Sequence, residues 1–103
     1  MDSNKMKARA WGWVDENERW ISDTHQKIWH LAEPALREYE SSAAYVEILR
    51  NEGFSVEEGS GGMPTAFCAV YGEGVPVLAS FAEYDATPGN NQAATPYEKL
   101  RDE

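Results

Sequence analysis

The chain has little cysteine, little histidine and no long apolar stretch. Of its 103 residues, one is cysteine and two are histidine. Cys68 has no second cysteine with which to form an internal disulfide, and its apolar neighbours predict a buried thiol rather than a nucleophile. No apolar run approaches the ~20 residues of a membrane-spanning helix, and the polar, cationic first ten residues do not follow a cleavable leader pattern. We therefore expect a cytoplasmic protein.

Basic residues are scarce as well. Nine Lys and Arg stand against 18 Asp and Glu, so the formal net charge is -9. Such an excess of negative charge opposes binding to nucleic acid or to an anionic membrane, and it usually forms a solubilising surface. We expect neither kind of partner. With 42% hydrophobic residues and four Trp, the chain has enough apolar material for one small domain or part of a larger one.

The first half of the chain predicts two helices. Apolar residues at heptad spacing indicate a long amphipathic helix over residues 11–31, after a loose start over residues 1–8. His25 and His30 lie five residues apart on it, and helical zinc pairs use adjacent turns, so a metal pair is disfavoured. Pro34 ends or kinks this helix. Ser41 or Ser42 is then expected to cap a short second helix that ends near Gly53.

The second half predicts about three strands. Alternation around residues 54–56 indicates the first strand, and the apolar runs 66–71 and 75–81 indicate two more. The GEG at residues 72–74 predicts a hairpin between the last two. The Gly-rich run at 59–64 lacks the lysine and the following helix of a phosphate loop, so we interpret it as a flexible connector.

Two carboxylates, Glu83 and Asp85, follow the third predicted strand. Because side chains alternate along an extended chain, both acids face one side and Tyr84 between them faces the other. Open α/β folds bind ligands at the carboxyl ends of their strands, so this pair is a candidate site. An acidic pair at a strand end is also common as a simple loop cap.

Several segments in order resemble a known family. The segments IWHLAEPALREYESS, NEGFSVEEG and GGMPTAFCAVYGEGVPVLASFAEYDATPG closely resemble the N-terminal region of the metallopeptidases and amidohydrolases that include carboxypeptidase G, aminoacylase and aminobenzoyl-glutamate hydrolase. The resemblance spans residues 13–92 and is greatest to the aminobenzoyl-glutamate hydrolase branch. It implies an α/β three-layer sandwich of the zinc-exopeptidase type, of which residues 1–103 hold the N-terminal part of the catalytic domain, without a dimerisation domain.

The resemblance also implies roles for the acidic pair. In the peptidase members, this position carries a His-x-Asp-x-x-Pro pattern in which the His binds metal and the Asp orients it. Asp85 and Pro88 match that pattern, and Glu83 stands in place of the His. Asp85 is therefore the expected catalytic residue and Glu83 the expected metal ligand. The implied cofactor is a divalent metal, zinc or manganese, and the remaining ligands are expected beyond residue 103.

The implied function is hydrolysis. The expected substrate is small, with an amide or C–N bond in an N-acyl amino acid or an aromatic amine, and deamination of a compound such as nitroanthranilate is a subclass. The chain of 103 residues is expected to be inactive alone, and the full-length protein to form a homo-oligomer or to associate with a complementary C-terminal segment. The alternatives are a non-catalytic fragment or interaction module that needs a second polypeptide segment to complete its fold, and an unrelated acidic interaction domain.

Overall fold

A computed structural model of the chain, described over residues 2–102, contains two helices and two strands. Helix α1 spans Ser3–Leu31, helix α2 Tyr39–Asn51, strand β1 Ser55–Glu58 and strand β2 Phe67–Val70. Residues up to His30 form one compact unit and residues from Leu31 onward form a second. These elements confirm a chain that combines helices with a β-sheet, whereas the three-layer sandwich stays a prediction.

Helix α1 begins earlier than expected. Residues 3–10 are mostly Lys, Met, Ala and Arg, which have high helix propensity, so the helix starts at Ser3 and the predicted loose start is wrong from that residue on. Met1 lies outside the described residues. Within the helix, the rings of Trp13 and Trp20 meet edge to face at 5.9 Å. No helix among residues 2–102 combines the length and the apolarity that a bilayer crossing requires.

Helix α2 also begins before the predicted cap. It starts at Tyr39, so Ser41 and Ser42 lie inside its first turn, where both are buried. The predicted serine cap is wrong because a carboxylate from an earlier residue satisfies the free N–H groups at this end. The predicted end near Gly53 is confirmed: the Gly53 N–H donates to the Arg50 carbonyl at 3.0 Å, with φ at +89°.

The two strands form one antiparallel hairpin, in the register Ser55 opposite Val70 and Glu58 opposite Phe67. The loop between them contains a short 3₁₀ helix, Ser60–Gly62, and the Gly59 N–H donates to the Ala66 carbonyl at 2.8 Å. The Gly-rich run is therefore an ordered hairpin loop, not a loose connector.

The third strand and its hairpin are absent from the described residues. Residues 75–81 form neither a helix nor a strand, and their side chains are exposed. A strand needs a neighbour for its backbone groups, and Pro76 has no N–H to offer one. The hairpin that the sequence placed at residues 72–74 lies instead between β1 and β2.

The interior of the second unit lies between α2 and the hairpin. Ala44 and Val46 on α2 are buried, and Tyr45 on the same helix packs its ring 6.4 Å from that of Phe67 on β2. Burial alternates along β2, so Phe67 is turned inward and Cys68 outward. Cys68 is exposed, and the predicted buried thiol is wrong because the strand's two-residue period, not the apolar neighbours, sets its direction.

Candidate functional site

The acidic pair has the alternation that the sequence predicts. Glu83 and Asp85 are exposed, and Tyr84 between them is half-buried and turned toward the interior of the second unit. The pair lies on an irregular segment instead of at the end of a strand. Its orientation therefore depends on how Tyr84 is held.

Tyr84 is held by an aromatic cluster and a hydrogen bond. Its ring stacks on Phe67 at 5.9 Å and lies 5.3 Å from the ring of Tyr45. Its hydroxyl donates to the backbone carbonyl of Thr65. Burial raises the pKa of the Tyr84 hydroxyl above its ordinary value of 10.0, so it stays protonated and able to donate. This side chain fixes which way the two flanking carboxylates point.

A second attachment follows directly after the pair. The Ala86 N–H donates to the Glu33 carbonyl at 2.8 Å, and Ala86 forms an isolated parallel bridge with Pro34. The acidic pair is thus tied to the segment between α1 and α2 on one side and to the hairpin loop on the other. Both attachments restrict the positions that the two carboxylates adopt.

The two carboxylates line an open pocket of about 180 Å³ in the second unit. A third carboxylate, Glu38, lines it as well. The pocket is bordered by Leu36, Glu38, Met63, Thr65, Ala66, Ala82, Glu83, Tyr84 and Asp85. It combines acceptor groups with apolar side chains, which suits a small ligand that carries both N–H donors and an apolar body.

Glu38 is a residue that the sequence interpretation missed. It is only 9% exposed, although a carboxylate is seldom buried unless it has partners. The Thr65 hydroxyl donates to it at 2.6 Å, and this hydrogen bond is the main reason why its pKa lies below the ordinary value. Thr65 therefore joins two groups of the pocket, because its hydroxyl contacts Glu38 and its carbonyl contacts Tyr84.

Glu33 is the second missed residue. Its carboxylate accepts hydrogen bonds from the backbone N–H groups of Glu40 at 3.0 Å and Ser41 at 2.6 Å, and from the Ser41 hydroxyl at 2.7 Å. Desolvation raises the pKa of Glu33, but the Ser41 hydroxyl and the backbone N–H groups outweigh it and hold the pKa below its ordinary value of 4.5. A helix N-terminus favours a nearby anion, so the presence of an acid shortly before α2 is the sequence feature that predicts this contact.

The described residues do not by themselves form a metal-binding site. Within residues 2–102, no group of three or more His, Cys, Asp or Glu side chains is arranged to hold one. Of the pocket carboxylates, Glu38 is buried and accepts a hydrogen bond from the Thr65 hydroxyl, and only Glu83 and Asp85 are exposed. His25 and His30 form no such group either; the His30 Nδ1 contacts the Gln26 carbonyl at 2.6 Å. The roles of Glu83 as metal ligand and Asp85 as catalytic residue stay predictions.

Comparison with curated proteins finds a relative that is a hydrolase subunit. The chain is 33% identical over 81 residues to a subunit of p-aminobenzoyl-glutamate hydrolase from Escherichia coli. This match confirms the resemblance to the aminobenzoyl-glutamate hydrolase branch. The aligned residues make up 79% of the chain but 17% of that protein, so the chain spans less than a fifth of the length of the relative that it matches. No family model and no solved structure matches the chain.

Proposed function

We propose that the full-length protein is a hydrolase that cleaves an amide or another C–N bond in a small substrate. The match to part of a hydrolase over most of this chain carries the proposal. The preferred substrates are N-acyl amino acids of the kind that the relative's name specifies, an aminobenzoyl group joined to glutamate. Aromatic amines form the second substrate class.

The pocket supports the proposal through its chemistry. Glu83 and Asp85 present two exposed carboxylates from one short segment, and Tyr84 fixes the backbone between them. An amide or amine substrate offers N–H donors, which these acceptors bind. A carboxylate within hydrogen-bond reach of the scissile group can also take or return a proton, and we assign this role to Asp85.

We further propose that the activity depends on a divalent metal, zinc or manganese. Glu83 is the ligand that this chain contributes, and residues outside 1–103 supply the others, because two or more further ligands are needed for either metal. The homo-oligomeric state of the full-length protein and its cytoplasmic compartment stay predictions from the sequence.

The test is a turnover assay on the purified full-length protein. It is incubated with p-aminobenzoyl-glutamate and a panel of N-acyl amino acids, and release of the free amine is measured with and without added zinc or manganese. We expect release with metal and a loss of at least ~100-fold in kcat/KM for the double substitution Glu83→Gln and Asp85→Asn.

A matched control is Glu47→Gln. Glu47 is an exposed carboxylate on α2 outside the pocket, so this substitution should leave turnover unchanged. Full turnover in the double variant would show that the acidic pair has no part in the reaction. No turnover of any substrate by the metal-loaded protein would contradict the hydrolase proposal itself.

The two substrate classes are separated by their products. Cleavage of an amide releases an amine and a carboxylate, whereas deamination of an aromatic amine releases ammonia. An ammonia assay on nitroanthranilate, run beside the amide assay, assigns the protein to one class. We expect the amide class, because the relative's name refers to an amide-linked compound.

A further inference from the structure

Leu36 combines a left-handed backbone conformation with an exposed apolar side chain. Its φ is +67°, and it is the third residue of a turn that the Arg37 N–H closes by donating to the Pro34 carbonyl at 3.0 Å. A positive φ at this position of a turn usually selects glycine or asparagine, because a larger side chain makes it unfavourable. The Leu36 side chain is 65% exposed, so its burial offsets little of this cost.

Ala32 provides the comparison. It is the other non-glycine residue with a positive φ within residues 2–102, at +45°. It directly follows Leu31, the last residue of α1, and a left-handed residue is a common way to end a helix. Leu36 does not follow a helix, and α2 begins only at Tyr39. The conformation of Leu36 therefore lacks the local explanation that applies to Ala32.

The turn that contains Leu36 is attached at both ends. Before Leu36, Pro34 forms the isolated parallel bridge with Ala86. After Leu36, the buried carboxylate of Glu38 accepts the hydrogen bond from the Thr65 hydroxyl at 2.6 Å. Strained residues persist where the surrounding structure imposes them, and they cluster at sites that bind ligands. These two attachments therefore keep Leu36 in its strained conformation.

Leu36 borders the open pocket that the acidic pair lines, and the other apolar residues of this pocket are Met63, Ala66 and Ala82. Met63 is 48% exposed, and a methionine side chain adapts its shape and packs favourably against aromatic rings. The pocket volume is about 180 Å³. Since a cavity of about 150 Å³ holds one benzene ring, the pocket has room for a single ring with a small substituent.

The charges of the pocket determine which end of a substrate enters it. Its charged residues are Glu38, Glu83 and Asp85, and no Lys, Arg or His among the described residues borders it. A carboxylate of an N-acyl amino acid would meet like charge there, whereas an amino group on a ring would find hydrogen-bond acceptors. When an aminobenzoyl group is joined to glutamate, the ring is therefore the end that suits this pocket.

We propose that Leu36 is a specificity-determining residue that forms, with Met63, the apolar wall against which the pocket holds an aromatic ring bearing an amino group. The inference rests on the proposed function for the identity of the substrate. The strain and the exposure of Leu36 support it, because a leucine at this position lowers the stability of the fold and supplies apolar contact area to a ligand.

The first test is kinetic and uses the purified full-length protein. Leu36→Gly should raise the KM for p-aminobenzoyl-glutamate by about tenfold with little change in kcat, because the lost contact binds the substrate and the transition state equally. The KM for N-acetylglutamate, which has no ring, should not change. Leu36→Met keeps an apolar side chain and should keep both KM values.

The second test compares stability with ligand binding in the 103-residue chain and needs no turnover. Leu36→Gly should raise the tyrosine-detected melting midpoint by about 3 °C, because glycine adopts this φ without strain, and Leu36→Ala should not raise it. Both variants should weaken binding of 4-aminobenzamide by about tenfold in an NMR titration. The wild-type chain should bind 4-carbamoylbenzoate, which carries a carboxylate in place of the amino group, at least about tenfold more weakly.

A matched control is Leu100→Gly. Leu100 is 72% exposed, lies outside the pocket and has no positive φ. The same substitution at this position should leave the KM values and the binding of 4-aminobenzamide unchanged, and it should not raise the melting midpoint.

Other outcomes overturn the inference. If the wild-type chain does not bind 4-aminobenzamide, or if Leu36→Gly leaves binding and KM unchanged, Leu36 does not contact a ring. If Leu36→Gly lowers the melting midpoint, the side chain stabilises the fold. If the KM rises equally for both substrates, Leu36 does not distinguish them. If the full-length protein turns over no substrate but the 103-residue chain binds 4-aminobenzamide through Leu36, the hydrolase proposal fails and the ring-binding role of Leu36 stands.

Discussion

At the scale of single residues, Glu33 connects helix α2 to the segment that carries the acidic pair. Its carboxylate holds the free N–H groups at the start of α2, and its backbone carbonyl holds Ala86 directly after Asp85. A residue with both contacts couples the stability of a helix to the position of the candidate site. Nothing in the spacing of apolar residues marks Glu33, because both of its contacts are polar.

The stability of the second unit should therefore depend on pH through Glu33. Its folded pKa lies below 4.5, so its contribution is present above that pH and is lost as the pH falls through the folded pKa. We expect Glu33→Gln to lower the free energy of unfolding by about 1 kcal/mol at about pH 7 and by less at about pH 2. Urea unfolding followed by tyrosine circular dichroism measures both values.

Tyrosine signals report on the second unit alone, since all five Tyr lie between Tyr39 and Tyr97 and all four Trp between Trp11 and Trp29. Glu47→Gln serves as the control, because it removes one acid from an exposed position on α2. An equal loss of stability at both pH values for Glu33→Gln would mean that its charge does not stabilise the helix.

Tyr84 gives a second prediction at this scale. Tyr84→Phe keeps the ring in the aromatic cluster but leaves the Thr65 carbonyl without its donor, so the free energy of unfolding should fall by about 1 kcal/mol. Tyr97→Phe removes a hydroxyl from an exposed ring and should change it little. Thermal unfolding at neutral pH compares the two. Equal effects would indicate that the Thr65 contact contributes nothing.

At the scale of elements, the same substitution should have opposite effects at two glycines. Gly62 ends the 3₁₀ helix of the hairpin loop with φ at +78°, which an alanine adopts at a cost of about 1–2 kcal/mol. Gly12 lies inside α1 with no atom near the position of an added Cβ, and alanine favours a helix by about 1 kcal/mol. Gly62→Ala should lower the tyrosine-detected stability, and Gly12→Ala should raise the helix content measured by circular dichroism.

At Gly62 the substitution tests the backbone conformation of the hairpin loop. The loop is free of crowding at this position, so the backbone angle alone determines the result. Gly62→Asn is the informative companion, because asparagine tolerates this backbone region better than alanine. If alanine were as stable as glycine there, the turn would have a different backbone conformation from the one described.

At the scale of the whole molecule, metal binding separates the 103-residue chain from the full-length protein. Residues 2–102 contain no ligand group of three or more, so added zinc or manganese should leave the tyrosine-detected melting midpoint of the 103-residue chain unchanged. The full-length protein should be stabilised by the same metals. Differential scanning calorimetry with and without a chelator checks both expectations. If metal stabilised the 103-residue chain, and if Glu83→Gln abolished this stabilisation while Glu47→Gln did not, the short chain would contain a complete metal site.

The sequence determined the elements whose stabilising contacts are local. Helix periodicity predicted that α1 and α2 exist, although both begin before their predicted starts, and Gly53 predicted the end of α2. Strand alternation predicted that Tyr84 faces away from Glu83 and Asp85. The order of short motifs was sufficient to predict the similarity to p-aminobenzoyl-glutamate hydrolase, because each motif is read directly along the chain. Residue type and spacing carry these features, so no distant contact is needed to infer them.

Only the tertiary structure decided which polar groups meet and which apolar runs are covered. The contact between Thr65 and Glu38 spans 27 residues, and the cap from Glu33 replaces the serine that local rules favour. The run Val75–Phe81 has the composition of an inner strand yet stays unpaired, because a strand forms only when a neighbouring backbone is present. Hydrogen-bond pairing between distant segments depends on where the backbone brings them, and composition does not encode that position.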